Sequence, residues 1–380
     1  MEARRTHRMK EQALFLDLLR AGLWGTPPDP SLYHAGTEWG FLLSQAQKQT
    51  VLGIVSDGIG ALPETLRPSV PYLRPIQHHL VQLRRSHTRL NEVLRTLVPQ
   101  LQAASIQPIL LKGQGIARCY RYPEQRQCGD IDLYVGPADY AAACHILQQA
   151  GARTEDAHES LQHYHASYQG VVVELHRLAA YALDPALDTR IQRWTRHYLQ
   201  EQKETCPVGT IGGTEVLLPP VSFDAVYLFY HFLKHFLAIG IGFRQICDWT
   251  RYLHVHASTL DRETLAQDIR YLRLTRFWKL FGCVAVDYLG LPEAEFPFYD
   301  ARYRKQAARV VELIFRCGNF GKHYFSPASV RPTGYYAGKW YAFRQRITWY
   351  AQTFSLAPRE VGRFVFYSLR HGFKVALFHQ

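Results

Sequence analysis

Apolar residues recur at helical spacing over residues 10–22 (KEQALFLDLLRAG) and predict a helix there. A loop with Pro and Gly follows, and residues 40–61 read as a second helical stretch or a pair, ended by Pro63. Residues 72–104 predict one long helix. Its Leu80, Leu83, Leu90, Val93, Leu94 and Leu97 keep to one face. The texture then changes. PILLK at 108–112 is a short apolar run and reads as a buried strand, broken by Gly113-Gln114-Gly115. IARCYRY gives one or two helical turns, and DIDLYV from Asp130 gives a second strand. Pro137-Ala138-Asp139 starts a helix that Gly151 stops. HYHASYQG and VVVELHR are two strands joined by a turn at Gln169-Gly170.

After Pro219-Pro220 the helical period returns, strongest in VSFDAVYLFYHFLKHFLA. The expected fold class is therefore α+β. It has a helical segment at 1–104 packing on the core and a compact unit at 105–205 with a small mixed sheet and flanking helices. A mostly helical domain follows at 220–380.

Composition narrows the function classes. The net charge of +12 favours acidic partners: nucleotides, nucleic acid or anionic lipid. Cysteines stand at 119, 128, 144, 206, 247, 283 and 317, an odd number with no C-x-x-C, so a disulfide framework or zinc site is not expected. No signal peptide is evident, and the apolar stretches are broken well short of about 18 residues, so no spanning helix is expected. A reducing, cytoplasmic setting follows.

Three segments carry candidate chemistry. Asp130 and Asp132 are two apart, so on a strand both point to one face. Paired carboxylates repel unless a cation sits between them, and a hard divalent ion with oxygen ligands explains them; the bland alternative is a solvated strand end. Lys112-Gly113-Gln114-Gly115 closes a strand and opens a helix, where backbone amides and the Lys charge can hold phosphate; alternatively it is a plain glycine turn. Glu174 follows three valines and shares a face with His176. A buried acid there needs a partner, which a metal or a role as base would supply; an edge strand with Glu174 in water is the alternative.

Leu111-Lys112-Gly113, Arg126, Asp130-Ile131-Asp132-Leu133 and Glu174-Leu175-His176 together resemble the nucleotidyltransferase superfamily of DNA polymerase beta. They are most similar to a bacterial family of uncharacterised nucleotidyltransferases. The likeness covers about 105–180 and extends loosely to His231, His235 and Arg244-Gln245-Ile246-Cys247-Asp248. It implies a magnesium or manganese ion held by Asp130, Asp132 and Glu174 as the catalytic and metal-binding acids. It also implies nucleotide contacts from Lys112, Gly113, Gly115, Arg126, His176 and Arg244. The implied reaction is transfer of a nucleoside monophosphate from an NTP to an acceptor with pyrophosphate release. The acceptor is open: a small molecule, a sugar, a protein or an RNA end. Two features depart from the superfamily. Lys112-Gly113 stands where Gly-Ser is usual, and Glu174 where Asp is commoner.

Some features fit several readings. His231 and His235 share a helix face as core histidines or as a polar seam on the cleft, and they lack the Glu of H-E-x-x-H. Arg244 and Asp248 have the spacing of an intrahelical pair. The aromatic and basic stripe from 337 onward either meets membrane lipid or nucleic acid, or packs on its own domain with Arg and Lys at the rim. Two other classes remain: a non-catalytic nucleotide-binding scaffold, and a D-x-D glycosyltransferase. The second is disfavoured because the apolar run here follows the acids.

Overall fold

The computed structural model describes residues 2–154, 162–323, 332 and 334–378. The chain opens with α1 (Glu2–Trp24), α2 (Trp39–Lys48), α3 (Leu52–Gly60) and α4 (Val70–Ala103). The stretch predicted over 40–61 is thus a pair. It breaks at Thr50, whose φ of 55° no helix tolerates.

The core follows as β1 (Ile109–Leu111), α5 (Gly113–Ala117), β2 (Asp130–Tyr134), α6 (Gly136–Gln149), β3 (Arg153–Thr154), β4 (His163–Tyr168), β5 (Val171–His176), α7 (Pro185–Arg196), β6 (Val208–Ile211) and β7 (Thr214–Leu217). The strands form one mixed seven-stranded sheet in the order β3-β4-β5-β2-β1-β7-β6. β2 runs parallel to β5, and β1 parallel to β7; the other neighbours are antiparallel. The fold is α+β, as the hydrophobic pattern predicts. The β6–β7 hairpin was not foreseen. Its signal is a Gly212-Gly213 turn, both at positive φ, between two four-residue strands.

The β4–β5 hairpin forms where predicted. Gln169 and Gly170 have φ of 52° and 74°, the two positive values that a two-residue turn matching strand twist requires. Alternation along the strands then separates two faces. Leu110, Ile131, Leu133, Val173 and Leu175 turn toward α4 and α6, where they meet Leu94, Leu97, Ala143 and Leu147. Ile109, Leu111 and Tyr134 face the other way, into a larger core shared with the helices that follow.

Those helices are α8 (Val221–Ile239), α9 (Phe243–Val255), α10 (Arg262–Tyr271), α11 (Thr275–Cys283), α12 (Arg304–Cys317), α13 (Tyr335–Phe354) and α14 (Pro358–Phe378). α8 is buried on nearly every side, as its unbroken apolar composition requires. Phe15 of α1 lies 5.7 Å from Phe243 of α9 and 5.2 Å from Phe315 of α12, ring centre to ring centre, so the first helix shares one core with these later ones. Part of the tail packs on its own domain and part stays at the surface. Trp349, Tyr350 and Val361 are buried, whereas Trp340 and Phe366 are exposed; its last two residues lie outside the described residues. Among the described residues, no helix is long and apolar enough to cross a membrane.

Candidate active site

Asp130 and Asp132 of β2 lie beside β5, and in the parallel register Asp132 sits opposite Glu174 and Tyr134 opposite His176. Side chains at matching positions of adjacent strands share a face. Two acids of β2 and the Glu174 and His176 of β5 therefore gather on the side of the sheet that the later helices cover. The structure brings these four, singled out from the sequence, to one face. Lys112 joins them from the end of β1. Its backbone takes φ 53°, a strained value for a residue with a side chain, and Gly113 follows at φ 42°.

The contacts converge on one oxygen. Lys112 Nζ lies 3.0 Å from Asp132 Oδ1, and His176 Nε2 donates to the same atom at 2.8 Å. The same His176 nitrogen lies 3.4 Å from Glu174 Oε2. Asp132 is only 2% exposed, so without these partners its charge would be costly. Burial pushes its carboxyl up, but the Lys112 charge and the His176 hydrogen bond outweigh burial and hold it well below the usual range. Asp130 moves the opposite way, raised first by the charge of Asp132 and then by burial. Burial also opposes the charge of His176, yet its bonds to Asp132 and Glu174 raise its pKa on balance. The cluster thus holds one carboxylate firmly ionised beside a second whose charge is under-compensated.

Sequence reading missed His163. It lies opposite His176 in the hairpin register, with ring centres 5.1 Å apart, and its Nε2 is 3.8 Å from Glu174 Oε1. His163, Glu174 and His176 each offer a ligand atom within 4.8 Å of the others. The signal was available. A two-residue turn at 169–170 pairs 168 with 171, and stepping outward pairs 163 with 176. His231 and His235 of α8 stand side by side, ring centres 4.7 Å apart. Burial lowers both, and the Lys112 charge and each other's company lower His231 further; burial brings His235 down to about 3. They are neutral seam residues above the cluster, and among the described residues neither joins a ligand group.

The two arginines bond to groups of the protein itself, and the Arg244 charge also acts on Asp130. Arg126, expected at the nucleotide, is buried and gives Nε and Nη2 to the two oxygens of Asp248 at 3.0 and 2.6 Å. Tyr120 donates to the same carboxylate at 2.8 Å, and Arg126 Nη1 meets Cys128 Sγ. Arg244 does not form the intrahelical pair with Asp248; its Nη1 donates to the Gln127 carbonyl at 2.8 Å. Together Arg126 and Arg244 fasten α9 to residues 126–128, the segment that delivers Asp130. α5 is five residues long, too short for its end to act as a strong anion site, which weakens the reading of Gly113 and Gly115 as a phosphate cradle. In that turn the Gln114 side chain is buried with neither amide atom partnered.

Asp224 of α8 is a further acid that the sequence did not single out. It is buried, its Oδ1 has no partner, and burial pushes its carboxyl up to about 8 against the pull of Lys112.

Two outcomes follow for stability. Asp248→Ala leaves the Arg126 guanidinium buried and unpaired, and urea denaturation should register a loss of about 3–5 kcal/mol. Asp224 stays neutral in the folded chain up to about pH 8, whereas it ionises near 4 when unfolded. Raising pH through that window therefore favours the unfolded chain. Asp224→Asn should gain stability over the parent at pH 8 and show little difference at pH 4; an equal effect at both would exclude a raised carboxyl.

No curated protein and no solved structure matches the chain. The profile of a family described as uncharacterised nucleotidyltransferase matches residues 35–290, well over half of the chain, including the whole sheet and the helices that cover its acid cluster. The chain belongs to that family of nucleotidyltransferases.

Proposed function

We propose that the cluster around Asp132 is the centre of a metal-dependent nucleotidyl transfer. A nucleophile on the acceptor attacks the α-phosphate of an NTP, and pyrophosphate leaves. The observation that carries this reading is the meeting of Asp130, Asp132 and Glu174 on one face of adjacent strands, with Lys112 in reach of Asp132.

The donor set fits a divalent cation. Asp130 is an acid without sufficient positive charge near it, and Glu174 is half-buried rather than locked away. Asp130, Asp132 and Glu174 would hold the ion, which when bound would neutralise triphosphate charge and stabilise the attacking and leaving oxygens. Carboxylate oxygens suit magnesium or manganese, and the imidazoles of His163 and His176 beside them tilt the choice toward manganese.

The protein's own groups have separable parts to play. His176 fixes the Asp132 and Glu174 carboxylates in place. Lys112 neutralises Asp132 in the free enzyme and transfers its charge to the phosphates once the nucleotide enters. Glu174 completes the acid set or accepts the acceptor's proton. The Arg126–Asp248 pair acts as a brace, not as a substrate contact. A unit at 105–205, extended by β6 and β7, would form the catalytic core. We further place the protein in a reducing, cytoplasmic setting, a reading supported by seven cysteines that are all free thiols.

A second reading has one observation in its favour. The Lys112–Asp132 ion pair neutralises Asp132 with no cation needed, as a non-catalytic scaffold would.

Incubation with α-labelled NTPs, manganese or magnesium and a cell extract as acceptor source separates the two. Transfer requires pyrophosphate release matched by label on an acceptor. Asp132→Asn and Asp130→Asn should lower it on the order of 100-fold or more at unchanged thermal midpoint, as loss of transition-state charge stabilisation does. Nucleotide binding without turnover, indifferent to Asp130→Ala, would sink the catalytic reading.

A further inference from the structure

A cavity of about 370 Å³ lies between α8, the α10–α11 turn, α13 and α14, and its far wall is the segment following β5. It is large enough for a small ligand and has room for about a dozen water-sized groups. Leu187, Leu233, Leu237, Leu274, Phe277 and Phe364 make most of its surface apolar. Lys234, Arg273, Arg346 and Arg363 bring positive charge, against two carboxylates, Asp184 and Glu360. Arg363 and Asp184 cancel each other, at 2.6 Å.

Lys234 is different. Its ammonium sits 3.7 Å from the centre of the Tyr181 ring, and no described carboxylate makes an ion pair with it. Asp188 acts on it only at longer range, and burial brings Lys234 down to about 8. A half-buried ammonium held only by an aromatic face lacks a counter-anion, and the apolar walls around it give that anion's remainder a place. The position matters too. Tyr181 comes five residues after His176 in the chain, and Lys234 lies one turn beyond His231 on α8, which couples electrostatically to Lys112 and Asp132.

We propose that this cavity binds an amphipathic anion, with a compact apolar chain or ring in the pocket and one carboxylate, sulfonate or phosphate group on Lys234. The ligand is either a free amphipathic acid or a lipid drawn from a bilayer. The exposed Trp340 and Phe366 on α13 and α14 suit the second source, and the chemistry at Lys234 is the same for both. The unpartnered Oε2 of Glu360 accepts a hydrogen bond from any hydroxyl the ligand carries. This binding does not depend on nucleotide transfer.

The test uses the full chain without nucleotide. Fluorescent 1-anilinonaphthalene-8-sulfonate is the probe, and decanoate, decanol and decylamine are its competitors. Decanoate should displace the probe at a concentration about tenfold below decanol, the preference a charge-assisted bond gives. Lys234→Met should remove that preference while decanol binding holds. Leu187→Trp and Ala238→Trp, which fill the pocket from two sides, should each weaken probe and decanoate together; thermal melts verify folding. Displacement by phosphatidylglycerol vesicles as well as by decanoate assigns the bilayer source, and displacement by decanoate alone assigns the free acid. The proposal is overturned if decylamine binds best, if Lys234→Met leaves decanoate unchanged, or if the probe signal survives in both filled variants.

Discussion

Asp132 must carry its charge in a place that excludes water, and the surrounding structure is arranged to allow it. One oxygen receives both the Lys112 ammonium and the His176 imidazole. Each partner has its own cost. Lys112 reaches Asp132 from a backbone conformation that a side chain resists, and His176 is itself fully buried. A buried ion pair seldom repays its desolvation against an apolar replacement of the same shape. Stability alone does not explain keeping one here, which agrees with the proposed catalytic role. Asp132 is held ionised by the protein's own groups.

The helices that cover the sheet hold this arrangement in place. α8 supplies Asp224, Tyr227 and His231 above the cluster, and the Lys112 charge affects all three. α9 clamps the segment before β2 through Arg126–Asp248 and Arg244–Gln127. Both helices are anchored by aromatic packing. Phe229 of α8 lies 5.0 Å from Trp249 of α9, so the clamp and the seam are packed directly on each other. The Arg126 position marked by family resemblance thus serves the acid cluster indirectly, by fixing where β2 begins.

Much of this could be read from the residues alone. The strands carrying Asp130, Asp132 and Glu174 were legible because period-2 alternation and a two-residue turn leave few registers open. What failed to appear has physical reasons. His163 is reached only by counting outward through the hairpin. β6 and β7 are too short to announce themselves by pattern, and β7 joins the sheet beside β1, far away in sequence. Arg126 finds its partner Asp248 on α9, and Arg244 of α9 finds the Gln127 carbonyl before β2, and local spacing carries no information on either. The i,i+4 spacing of Arg244 and Asp248 suggested a pair, and tertiary contacts redirected both ends. Asp224 gave no signal, because an acid in the first turn of a helix ordinarily faces solvent.

If Lys112 holds Asp132 for a cation, it must give Asp132 up when nucleotide and metal bind. Crystals soaked with manganese and a non-hydrolysable NTP test it most directly, through the anomalous signal of manganese. Manganese should be bound by Asp130 and Asp132, with Lys112 moved from Asp132 to the phosphates and the Arg126–Asp248 pair unchanged. Manganese absent from both aspartates, with the Lys112–Asp132 pair intact beside bound nucleotide, would contradict it.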